Sequence, residues 1–198
     1  SHGGGSAEGQ QHIVESYGVT EEYVGCEIRS TMEVAQVGTV EGEVPVYFDK
    51  YAVEADHVVV AGRIKPHTGF VGEIESGLHK MMLIGLGKHK GAALYHQAIV
   101  QYSFDRIIRA VAGEVIDKCG ILFGLAIVEN QYDHTAMIEA VPPDKFAERE
   151  RKLLILAKKW MPRLPFDRVD LLVIDEIGKN ISGSGLDSNV VGRKFYEH

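Results

Sequence analysis

Histidine and lysine crowd into one stretch of this chain. His67, His79, His89 and His96 lie between Lys65 and the start of the second half, with Lys80, Lys88 and Lys90 among them and glycine at 69, 72, 77, 85, 87 and 91. The first part of the stretch is Arg63-Ile64-Lys65-Pro66-His67-Thr68-Gly69-Phe70, directly after the β-branched run His57-Val58-Val59-Val60-Ala61. That run suits a buried strand. Pro66 stiffens the backbone around it, so His67 sits on a fixed strand-end loop. An imidazole placed there, with an ordinary pKa near neutrality, suits a general acid or base. A surface histidine bonded to backbone is the plainer alternative.

Next comes Glu75-Ser76-Gly77-Leu78-His79-Lys80-Met81-Met82. Ser76 is a candidate helix N-cap, and a helix start of this kind can receive a phosphate or carboxylate. Lys80 lies one turn in, where its amine could add charge or form a covalent link. A solvated helical lysine is the plainer reading. Gly85-Leu86-Gly87-Lys88-His89-Lys90-Gly91 is basic and glycine-rich, yet it is neither a Walker loop nor a dinucleotide fingerprint. His79, His89 and His96 lack the i, i+4 pairing of a helical zinc site, so zinc is disfavoured. One imidazole could still complete a site whose other ligands come from a cofactor. A second loop, Asp175 to Gly185, could hold Mg²⁺, bind phosphate or close over a site; a run of turn formers without a ligand is the plainer reading. Glu129, Asp133 and His134 read as a turn.

The elements that must position these groups alternate between strand and helix. Ser6 can cap a helix to about Tyr17, stopped by Gly18, and Thr20-Glu21-Glu22 starts another turn. Val34 to Val40 and Val44 to Phe48 alternate as short strands. Helix is expected around Leu78 to Leu86, from about Ala92 to Tyr102, and over Phe104 to Cys119 with Gly120 as its stop. Ile121 to Val128 and Thr135 to Val141 read as strands around an Asn130 to Asp133 turn. Pro142-Pro143 opens a helix through Trp160, and Val169 to Asp175 is expected as a last strand. This alternation predicts a single α/β domain over 1–198, Rossmann-like and three-layered, with a mostly parallel sheet and helices on both faces. In such sheets ligands bind at the carboxyl ends of strands, where the loops after Val60 and after Asp175 would lie.

Composition narrows the function classes. The chain has 198 residues, 45% hydrophobic and 25% charged, which is ordinary for a globular domain. A net charge of -7 argues against a nucleic-acid surface. The longest apolar run, Ile121 to Val128, is far short of the roughly 20 residues of a membrane helix. Cys26 and Cys119 stand alone, so neither a zinc ribbon nor a disulfide framework is suggested, and a reducing, cytoplasmic compartment is the economical reading. The opening Ser1-His2-Gly3-Gly4-Gly5-Ser6 lacks an initiator Met, which suits either a tag remnant or a piece of a longer protein.

Lys65-Pro66-His67-Thr68, Ser76-Gly77 with Lys80, and His96 together resemble the central motif of the nickel-dependent lactate racemase family. Members carry a histidine, a Ser-Gly pair ahead of a lysine, and a second histidine sixteen residues beyond it, a separation that Lys80 and His96 keep. The Ser1 to Gln10 segment resembles the family's other catalytic-histidine segment, which favours native sequence there. The resemblance extends across nearly the whole chain, including Val128-Glu129-Asn130 and Asp175 to Gly185, and is closest to an uncharacterised branch. It implies a racemase or epimerase of a 2-hydroxy acid that uses a nickel-pincer nucleotide. His2 and His67 would be the acid/base pair. Lys80 would anchor the cofactor beside Ser76 and Gly77, and His96 would ligate nickel, with His79 and His89 as alternatives. Cofactor-synthesis proteins are the implied partners. An oxidoreductase, or a non-catalytic nickel- or nucleotide-binding protein, could use the same residues. The His67 to Lys80 interval is three residues longer than the family's, and Leu78-His79 replace small residues. The chain is expected to be the central part of a longer two-domain protein and inactive by itself.

Overall fold

Capping chemistry sets the first elements. A computed structural model describes residues 5–69, 71–178, 181–182 and 185–192. The Ser6 hydroxyl accepts the Gly9 N–H at 3.0 Å and opens α1, Ala7–Ser16, beyond which Gly18 takes a left-handed φ of 77°. Thr20 likewise caps the single turn α2, Glu21–Val24. Strands β1, Val34–Val40, and β2, Val44–Asp49, pair antiparallel with an irregularity between Gln36 and Gly38. Asp49 then caps α3, Lys50–Glu54, through the Ala52 N–H.

Strand β3, Val58–Arg63, leads into the long loop and the short helix α4, Leu78–Lys80, which loosens into a π-turn over Met81–Gly85. Helices α5, Lys88–Tyr102, and α6, Phe104–Lys118, follow. Strand β4, Ile121–Glu129, turns back into β5, Thr135–Val141. A 3₁₀ turn over Pro143–Lys145 opens α7, Phe146–Trp160, and a last helical turn, α8, covers Ser188–Val191.

Two compact units are formed. The first comprises Ser1–Val60 and His79–Phe123. Its core joins Val44, Val46 and Phe48 of β2 to Tyr95 of α5 and to the apolar stripe Ile107, Ile108, Val111 and Val115 of α6. At Gly38 a side-chain carbon would land 1.8 Å from a Glu114 carboxylate oxygen, so glycine lets α6 lie against β1. The second unit comprises Ala61–Leu78 and Gly124–His198. Its core is Ile64, Ile74, Leu78, Ala126 and Val128 with Phe146, Leu153, Leu154 and Ala157 of α7. Gly124 again permits close approach, here by Leu78 and Phe146.

The α/β class holds, but the sheet is not mostly parallel. Strands β1 and β2 form a separate two-stranded sheet, and the other sheet has the order β3-β4-β5. Among the described residues only β3 and β4 run together: Val58 bonds to Gly120 and Ile64 to Ile127, advancing in the same direction. Strands β4 and β5 are antiparallel. Connections this short, 41–43 and 130–134, allow hairpins and no crossover. The expected strand from Val169 to Asp175 does not form either. The segment is irregular: Leu171 and Val173 are largely exposed, so little apolar burial offsets the entropy of ordering a strand there.

Candidate active site

The loop after β3 is closed at its base. Lys65 and Ser76 exchange two backbone hydrogen bonds, of 3.1 and 3.2 Å, and tie the loop's two ends together. Within it, Glu75 is 1% exposed. One of its carboxylate oxygens accepts the His67 N–H at 2.7 Å. The other accepts the Lys158 ammonium at 2.6 Å and the Gly72 N–H at 3.4 Å. A buried carboxylate is tolerable only when it is paired and hydrogen-bonded, and these donors supply both conditions.

His67 is thus held by its backbone, and its ring is held as well. Nδ1 accepts the Gly69 N–H at 3.0 Å. In this arrangement the neutral imidazole carries its proton on Nε2, and a proton can reach Nδ1 only if Gly69 lets go. The loop after Asp175 meets the same residue. Asn189 donates from its amide to the His67 carbonyl at 3.3 Å, Asp187 orients that amide at 2.9 Å, and the Ser188 hydroxyl donates to the Thr68 carbonyl at 2.8 Å. The segment following Asp175 is therefore joined to the loop after β3 at His67 and Thr68. Nearby, the Lys65 amine is held below the ordinary lysine range, first because protein displaces water from it and next because Arg63 is close. A cavity of about 920 Å³ opens here, lined by Pro66, Lys158, Arg163, Phe166, Leu172 and Asn189 among others, a size that suits a small-molecule site.

Ser76 and Gly77 serve the interior. Ser76 is 8% exposed and spends its backbone on Lys65. A side-chain carbon at Gly77 would come within 2.2 Å of a Glu150 carboxylate oxygen and 2.6 Å of Ile64. Glu150, 2% exposed on α7, accepts the Leu78 N–H. The anion expected at this helix start is thus the chain's own carboxylate.

The remaining candidates belong to the first unit. His79 is 4% exposed. Lys80 is half-buried at the end of α4. His89 and His96 both lie exposed on α5, seven residues apart and hence on one helical face about 10 Å from each other. Lys88 opens that helix with a left-handed φ of 54°, and its buried ammonium pairs with Asp49 at 3.0 Å and donates to Gln10 of α1 at 3.2 Å. Among the described residues no three His, Cys, Asp or Glu side chains converge on a metal position. A single accessible imidazole, from His96 or His89, is the donor set available on α5, and it fits a group that brings its own remaining donors. His2 lies outside the described residues.

A family model described as the lactate racemase N-terminal domain matches residues 1–105. The chain belongs to that family. Comparison with curated proteins found no match. Among solved structures, the lactate racemase apoprotein from Thermoanaerobacterium thermosaccharolyticum is similar, with a TM-score of 0.56 and 18% identity, over 72% of this chain and 36% of that one. At that identity the likeness concerns the fold, and the chain spans about a third of that relative's length. The family's domain here includes β3, the closed loop with His67, and α5 with His96. Sequence reading missed Glu75, Lys158, Glu150 and Asn189. Glu150 had a usable signal: it falls on the apolar stripe of α7 at 146, 150, 153, 154 and 157, where a carboxylate is out of place. Among the described residues no helix is long and apolar enough to cross a membrane.

Proposed function

We propose that this chain is the central part of a 2-hydroxy acid racemase or epimerase that works with a nickel-pincer nucleotide. The family match over residues 1–105 carries the reading. The doubly held His67 supports it, because a proton-transferring group gains from fixed placement. Lys80 would anchor the cofactor, with Ser76 and Gly77 fixing the helix start that bears it. His96 would ligate the metal; its exposure makes it, with His89, a better donor than His79, which is buried. When bound, the cofactor would take hydride from the substrate's chiral carbon and return it to either face.

His67 and His2 would exchange the hydroxyl proton, one for each enantiomer. For His67 to act as base, the ring proton moves to Nδ1 as Gly69 releases it, and Nε2 then accepts from the substrate. Each such transfer is worth roughly 10²–10⁴-fold in rate. The substrate is a small 2-hydroxy acid, and cofactor-synthesis proteins are the expected partners.

The test is full-length protein made in a host able to build the cofactor. Bound nickel, a covalent mass increment on the Lys80 peptide, and interconversion of 2-hydroxy acid enantiomers that is lost in His67→Ala are the expected results. Protein free of nickel and of any mass increment would sink the reading. Accumulation of the keto acid without return of the opposite enantiomer would replace it with an oxidoreductase.

A further inference from the structure

The ion pair between Glu75 and Lys158 is more than a fastener. It places one buried negative charge against the His67 backbone and one positive charge from α7 directly behind it, 2.7 Å and 2.6 Å along the same chain of contacts. Removing either charge alone would leave the other uncompensated against the residue that carries the imidazole, in a setting where water screens poorly on the Glu75 side.

Resting on the reading of His67 as a proton-transfer group, we infer that Glu75 and Lys158 are positioning residues that together set its proton affinity as well as its place. Among the described residues, the other charged groups around the loop are Glu73 within it and Arg151 of α7 paired with that carboxylate, Lys65 and Arg63 beside it, Glu129 and Asp133 at the end of β4 and its turn, Asp187 behind Asn189, and Arg163 on the cavity wall. These stay constant when the pair is altered, so the pair's effect is separable.

The sign of each change follows. In Glu75→Gln the Lys158 ammonium stands without its counter-charge, which disfavours the imidazolium and lowers the His67 pKa. In Lys158→Met the Glu75 carboxylate stands alone, which favours the imidazolium and raises it. The double variant removes both charges and returns toward the parent value. At the effective dielectric of a protein, each single shift should be about half a unit to one unit.

The experiment is an NMR titration of the His67 imidazole in the full chain, assigned through His67→Gln, for the parent and the three variants. Opposite shifts in the two single variants, with recovery in the double variant, support the inference. No shift, or shifts of the same sign, overturn it and leave the pair a structural clamp. Lys158 is 43% exposed at its side chain and can be changed without opening the core, so Lys158→Met decides the matter even where Glu75→Gln fails to fold. The titration needs no cofactor. If the shifts appear while the loaded full-length protein does not racemise, the proposed function fails and the coupling stands. In active protein, the limb of the kcat/KM profile that reports His67 should move with the titration.

Discussion

The loop that carries His67 and the helix that carries His96 place their imidazoles by opposite means. Helix α5 needs little: the backbone ladder aligns His89 and His96 on one face, and the buried phenol of Tyr95 seats the helix by accepting the Tyr47 N–H at 2.9 Å. It is also fastened at its start, where Lys88 meets Asp49 and Gln10. Among the described residues of the loop from 65 to 77, the Lys65 and Ser76 bridge is the backbone pairing, and side chains from α7 and from the segment ending in α8 hold the rest. A regular element can present a ligand to an accessible face without help. A group that must change its proton and keep its place needs a scaffold that tolerates both charge states.

Breaking the helix's fastening should have the largest effect. Lys88→Met strands the Asp49 carboxylate, which is only 10% exposed, and should cost about 3–5 kcal/mol in chemical denaturation. If α5 were held by its own packing alone, the loss would be under a third of that. Glu75→Ala should cost about 2–3 kcal/mol, since it leaves the Lys158 ammonium and two backbone donors unpaired. Its sharper signature is local: amide exchange should quicken across 64–77 while α5 keeps its protection. Equal acceleration in both regions would erase the contrast drawn here. Gly77→Ala should cost about 1–3 kcal/mol by forcing Glu150 and Ile64 aside, measured by the thermal midpoint.

Alkaline pH probes the helix's seat. Burial pushes the Tyr95 phenol up to about 12, so the folded state keeps a proton that the unfolded chain releases near pH 10. That contribution to stability is intact below about pH 10 and is lost as pH rises through the folded value. A phenolate absorbance titration should show Tyr95 ionising last, and Tyr95→Phe should abolish that final step. The smallest effect on stability belongs to His96→Ala, within about 0.5 kcal/mol because the residue is exposed, while nickel retention in the loaded full-length protein should fall sharply. Retention in that variant and its loss in His89→Ala would move the metal to His89.

Much of the fold was legible because local rules act alone in it. Ser6 and Gly18 bracket α1, and Thr135–Val141 alternates as a half-buried strand does. The double proline before Phe146 opens α7 after one 3₁₀ turn. The Val169 to Asp175 segment shows where such rules stop, since an apolar run becomes a strand only where tertiary packing buries it. In the site, His67 and its loop were readable from a strand followed by proline and histidine. Lys158 was not, because it lies 83 residues from Glu75 and looks like any lysine in the last turn of a helix. Asn189 sits in a run of turn formers whose attachment to His67 depends on tertiary folding.

The two backbone bonds between Lys65 and Ser76 also uncouple the length of the loop from the elements on either side of it. With the loop pinched shut at its base, added residues fall in the tip and leave both flanking elements in register. Lengthening a closed loop of this size by three residues changes its closure entropy by only about 0.3 kcal/mol. Residues added at the tip, such as a peptide tag or a reporter residue, should therefore disturb the strand before it and the helix after it little.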